Sequence, residues 1–188
     1  MIDLAADAEA ENLLFVPGMY STGHTGRDLD SMVAGMRRAV DCGRSRNIPI
    51  LMEDFDGIFS PYNSIAGLQY FFREIPGLEC AFDTGNFAMF REDELQAFEL
   101  FADRIRTVHL KDRAAERRHE GDTPFVCADG KSVYACSIGT GYIRIGEILR
   151  RLRERNYGGN VVIELYACDT KHVIQDAFDS LHQVREWI

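Results

Sequence analysis

Four residues could hold a metal ion between them: Glu53, Asp83, His109 and Glu164. Each stands at or near the end of a short apolar run, in PILME, ECAFD, IRTVH and NVVIEL. A carboxylate at the end of a buried apolar segment is costly to desolvate unless a cation or a hydrogen-bonding partner compensates it. One such residue reads as a capped or solvent-facing acid. Four of them, three carboxylates and one imidazole, form a hard-to-borderline donor set suited to Mn²⁺, Mg²⁺, Co²⁺ or Zn²⁺.

The elements that must position these residues repeat one plan: an apolar strand, a polar or glycine-containing turn, then an amphipathic helix. Strands are expected at 12–17, 49–53, 79–83, 105–109 and 160–165. They are continuous apolar runs, as parallel strands covered on both faces should be. Helices are expected at 29–46, 63–75, 92–104, 145–155 and about 171–187, with a partial helix at 3–10. Met32, Met36, Phe71, Phe72, Phe98 and Phe101 read as core, and Leu95 and Leu100 as inward-facing with them. Such alternation implies an α/β fold with a parallel sheet. Strand C-termini in these folds converge on one face, where ligands bind. A whole (β/α)₈ barrel needs roughly 250 residues, so the five βα units in 188 residues form part of a barrel or an open sheet.

Composition narrows the partners. At 188 residues, a single domain over 1–188 is expected. The net charge of −9 argues against a nucleic-acid partner, whose phosphates require neutralising Lys and Arg. No run approaches the roughly 20 apolar residues of a membrane span. The acidic opening MIDLAADAEAEN shows no secretory signal. Five cysteines without C-x-x-C spacing suggest reduced thiols. The expectation is a cytoplasmic protein acting on a small polar molecule.

The segments MED, AFDTGNF, VHLKDR and IGTGYIRIGEILRRLRERNYGGNVVIELY resemble the xylose-isomerase-like TIM-barrel superfamily of sugar-phosphate isomerases and epimerases. The resemblance runs from Asn12 to the end of the chain. It implies that the five strands are the family's fourth to eighth, the first three having no counterpart before Met1. It also implies that Glu53, Asp83, His109 and Glu164, in that order, ligate one divalent ion, Mn²⁺ first. The implied chemistry is proton transfer on a hydroxy-carbonyl substrate through a metal-bound enediolate, with Glu53 and Glu164 as the acid–base pair. An inosose-type dehydratase on the same site is the alternative, as is a shortened, non-catalytic metal-binding fragment prone to self-association. The related apurinic-site endonucleases use a trinuclear zinc cluster that needs more histidines than this pattern supplies.

Secondary candidates surround this set. Asn86 falls where ketose epimerases often place a substrate-contacting histidine; it is a substrate-binding candidate or a turn-forming residue. Lys111 and Arg113 could bind a substrate oxygen or phosphate, and Asp112 could orient a ligand. His24, in STGHTGRD, could reach substrate from the loop after the first strand. Gly139-Thr140-Gly141 reads as turn geometry before it reads as a phosphate cradle. His119, His172 and His182 receive no role. The charged segment 114–134 is expected to form a lid or a disordered insertion.

Overall fold

The computed structural model describes residues 1–20, 26–57, 59–165 and 171–188. Its elements in chain order are α1 (Ile2–Asp7), β1 (Leu13–Leu14), α2 (Gly26–Ser45), β2 (Ile50–Glu53), α3 (Ile65–Glu74), β3 (Glu79–Asp83) and α4 (Glu94–Phe101). They continue as β4 (Ile105–Leu110), β5 (Asp112–Ala114), β6 (Phe125–Val126), β7 (Ser132–Cys136), α5 (Ile145–Glu154), β8 (Asn160–Ile163) and α6 (Val173–Trp187). Five strands form one sheet in the order β1-β2-β3-β4-β8. The fold is therefore α/β with a five-stranded parallel sheet, as in part of a TIM barrel.

The chain divides into two compact units: residues 1–82 with 103–106, and residues 83–102 with 107–188. In the first unit, β2 pairs parallel to β1 (Leu13↔Ile50) and to β3 (Met52↔Cys80). Ile50, Leu51 and Met52 are all buried, which is why the run lacks alternation. Helix α3 starts at Ser64, whose side chain accepts the Gly67 N–H at 3.2 Å. Its Leu68, Phe71 and Phe72, three and four residues apart, supply the buried stripe. The strand expected at 12–17 shortens to two residues, though Phe15 N–H still donates to Leu51 O at 2.9 Å.

In the second unit, β8 pairs parallel to β4 with His109 opposite Val162. Helix α4 buries Ala97, Phe98 and Phe101. Leu100, expected inward, is exposed because it falls outside that stripe. The segment 114–134, for which a disordered insertion is one expectation, carries ordered strands. Strands β5 and β6 both pair antiparallel to β7, with Arg113 opposite Ala135 and Phe125 opposite Val133. Met89, Cys127 and Val133 form a small buried cluster beneath, with Phe90 and Phe125 against it. Strands of two to five residues in charged sequence leave too little periodicity to be read. Among the described residues no helix is long and apolar enough to cross a membrane, and Cys42, Cys80, Cys127 and Cys136 are free thiols.

Candidate metal centre

The second unit brings together Asp83, His109 and Glu164 from the ends of β3, β4 and β8. Asp83 closes β3 and is fully buried. Its Oδ1 accepts the backbone N–H groups of Gly85 at 2.7 Å and Asn86 at 2.9 Å, fixing the D-T-G-N turn. Thr84 binds this turn to β4: its N–H donates to His109 O at 3.0 Å and its hydroxyl to Lys111 O at 2.8 Å. The same hydroxyl accepts the Lys111 N–H at 2.9 Å. A Cβ on Gly85 would lie 2.7 Å from Lys111 O, so only glycine permits this approach.

Lys111 follows β4 and is buried, with 6% of its surface exposed. Its Nζ lies 2.9 Å from Asp83 Oδ2, 2.7 Å from Glu164 Oε1 and 3.0 Å from Asn86 Oδ1. Burial opposes the ammonium, yet the adjacent Asp83 and Glu164 carboxylates raise its pKa above the ordinary 10.5. Glu164 follows β8, where its N–H donates to Leu110 O at 2.9 Å. Its Oε2 meets His109 Nδ1 at 3.2 Å. The hydrogen bond from His109, with Lys111 added and burial opposing, holds the Glu164 carboxyl down at about 2.

Glu53 is the buried last residue of β2, in register with Ala81 of β3. Within the second unit, Asp83, His109 and Glu164 each offer one ligand atom, and these atoms lie within 4.8 Å of one another. Two carboxylates and one imidazole fit a divalent ion of the Mg²⁺, Mn²⁺ or Zn²⁺ kind.

The remaining candidates are placed as follows. Asn86 is buried beside Asp83 and accepts from Lys111. Arg113 is fully buried, its guanidinium 4.4 Å from the Phe125 ring centroid in a cation–π contact. His24 lies outside the described residues. Asp112 accepts four backbone N–H groups: Arg113 at 2.8 Å and Ile143 at 3.2 Å on Oδ1, Gly139 at 2.9 Å and Gly141 at 3.0 Å on Oδ2. Those bonds occupy the Gly139 and Gly141 N–H groups a phosphate would need, so Gly139-Thr140-Gly141 is a turn held by Asp112.

One constellation had no visible signal in the sequence. His119 stacks on His172 with ring centroids 4.1 Å apart, and its Nε2 lies 3.2 Å from Asp176 Oδ2. Ser137 Oγ donates to Asp176 Oδ1 at 2.9 Å. Only folding brings residues 119, 137 and 176 together; spacing along the chain does not announce it.

Known proteins carry the same architecture. A model of the xylose isomerase-like TIM barrel family matches residues 1–184, and the chain belongs to that family. An inosose dehydratase from Lacticaseibacillus casei is 29% identical over 86 residues, which are 44% of this chain and 28% of the relative. A D-tagatose 3-epimerase-like protein of known structure superposes with a TM-score of 0.76 at 21% identity, covering 99% of this chain and 65% of that one. A xylose isomerase-like TIM barrel protein from Mycobacterium smegmatis, solved in complex with magnesium, gives a TM-score of 0.70 at 16% identity, covering 99% and 64%. The chain thus spans less than two thirds of the length of each of these proteins.

Proposed function

We propose that this chain is a divalent-metal-dependent isomerase or epimerase acting on a small sugar or hydroxy-carbonyl compound. The observation that carries the proposal is the convergence of Asp83, His109 and Glu164 within 4.8 Å in the second unit, with Glu53 as the fourth ligand that the family resemblance implies. A bound divalent ion would act as a Lewis acid toward a substrate carbonyl and so acidify the neighbouring C–H. Glu53 and Glu164 move the protons: one takes the proton from carbon, the other returns one to the adjacent carbon or the opposite face. Asn86 and Lys111 border the ligand carboxylates and are the substrate contacts of this proposal; Arg113 and His24 are further candidates. Burial of Asp83, Asn86 and Lys111 keeps water from competing for their polar atoms.

Inosose-type dehydration is the second reading, favoured by the match to the Lacticaseibacillus enzyme. It uses the same proton abstraction and ends in loss of water rather than reprotonation. Metal analysis of wild type beside Glu164→Gln and His109→Ala tests the centre, with both variants expected to lose most of the bound ion. Retention of wild-type metal by both would sink the assignment. Incorporation of deuterium from D₂O into ketoses, hydroxypyruvate or inososes then tests turnover. Exchange without water loss marks an isomerase or epimerase, and a dehydrated product marks the second reading.

A further inference from the structure

We propose that Lys111 is a resident counter-cation of the metal centre, holding its carboxylates when no ion is bound and weakening the hold of the ion that replaces it. The inference rests on the metal-centre reading above and concerns how that centre is tuned. An ammonium has three N–H donors, and three acceptors surround this one: Asp83 Oδ2, Glu164 Oε1 and Asn86 Oδ1, at 2.9, 2.7 and 3.0 Å. The other oxygen of Asp83 is occupied by the N–H groups of Gly85 and Asn86, and the other oxygen of Glu164 by His109. The ammonium therefore stands on the oxygens that a cation binding both carboxylates would share.

Its position is built in rather than casual. Both the N–H and the C=O of Lys111 are bonded to the Thr84 hydroxyl, and Gly85 leaves room where a Cβ would press on Lys111 Cγ at 3.0 Å. With Lys111 charged, the three carboxylates of the ligand set retain the two negative charges that one divalent ion balances. Without it, they carry an unbalanced third charge. A unit charge a few Å from a divalent ion, even at an effective dielectric of about 20, shifts affinity by at least about tenfold. Lys111 thus makes the ion exchangeable and the empty centre stable.

The test is calorimetric titration of Mn²⁺ into the chelator-stripped chain, comparing wild type with Lys111→Met, Lys111→Gln and Lys111→Arg, alongside thermal melts of each. Lys111→Met and Lys111→Gln are expected to bind Mn²⁺ at least about tenfold more tightly, to melt lower without the ion, and to recover most of that loss with it. Lys111→Arg keeps the charge and should stay near wild type in affinity. A variant that folds only when Mn²⁺ is added also supports the proposal, because the ion has taken over the role of the ammonium. Equal or weaker Mn²⁺ binding by both neutral variants overturns it, since a purely structural lysine would loosen the site. So does failure of both to fold at any Mn²⁺ concentration. Absence of Mn²⁺ binding in wild type and neutral variants alike overturns the metal-centre reading together with this one.

Discussion

Lys111 and Asp112 are adjacent buried charges satisfied in different ways. Lys111 is met by side chains of the candidate centre, whereas Asp112 is met by backbone. Burial pushes the Asp112 carboxyl up, and the N–H groups of Gly141, Arg113, Gly139 and Ile143 act against that. Asp112→Ala would strand those donors in a buried turn and leave a void, destabilising the chain by about 3 kcal/mol. Asp112→Asn, which keeps one acceptor oxygen, should lose less. Urea unfolding midpoints of the two variants check the order, and equal midpoints would remove Asp112 from this role. The residue run VHLKDR announces polar chemistry in the sequence, but not this division of labour. Pairing Lys111 with Asp83, or Asp112 with Gly139, requires knowing which strand ends and turns meet.

At the level of elements, the helices and parallel strands were legible because each repeats one signal over enough residues. Buried helix faces show as apolar residues three and four apart, and fully buried strands as unbroken apolar runs. The β5–β7 sheet was illegible because its strands are too short to set a period. The start of α4 supports a further prediction. Asp93 Oδ1 accepts from Leu95 and Gln96, both at 2.9 Å, and pairs with Arg144 Nη2 at 2.7 Å. The hydrogen bond from Arg144, joined by the Gln96 N–H, lowers its pKa from 3.8. The folded value being lowered, the stabilisation is complete above pH 3.8 and is lost as pH falls through the lowered value. Asp93→Ala should cost about 1 kcal/mol at neutral pH through the lost cap. Asp93→Asn keeps a capping oxygen, so its deficit against wild type should shrink on acidification. A deficit that stays constant from neutral pH to pH 2.5, roughly, would assign the effect to packing instead.

On the scale of the whole molecule, the unusual feature is an apolar surface in a chain of net charge −9. Helix α6 turns Asp176, Ser180 and Val184 inward, where Ser180 Oγ accepts the Ile138 N–H at 2.9 Å. It presents Ile174 and Phe178 outward at 69% and 66% exposure, against the ordinary sense of an amphipathic helix. Helix α6 packs on β8, whose Val161 and Val162 are themselves 42% and 46% exposed at the end of the sheet. Exposed aliphatic and aromatic side chains beside an end strand are a template for association. The charge elsewhere on the chain favours dispersal, so the two tendencies oppose each other, and salt should tip the balance by screening the repulsion. Ile174→Glu combined with Phe178→Glu removes the patch without touching the buried face of α6. Wild type is expected to bind an apolar dye strongly and to elute larger as concentration or salt rises, and the double variant to lose most of both behaviours while keeping its helix content. A wild-type chain that elutes as a monomer at every concentration and binds little dye would show that these side chains, exposed as they are, do not drive association.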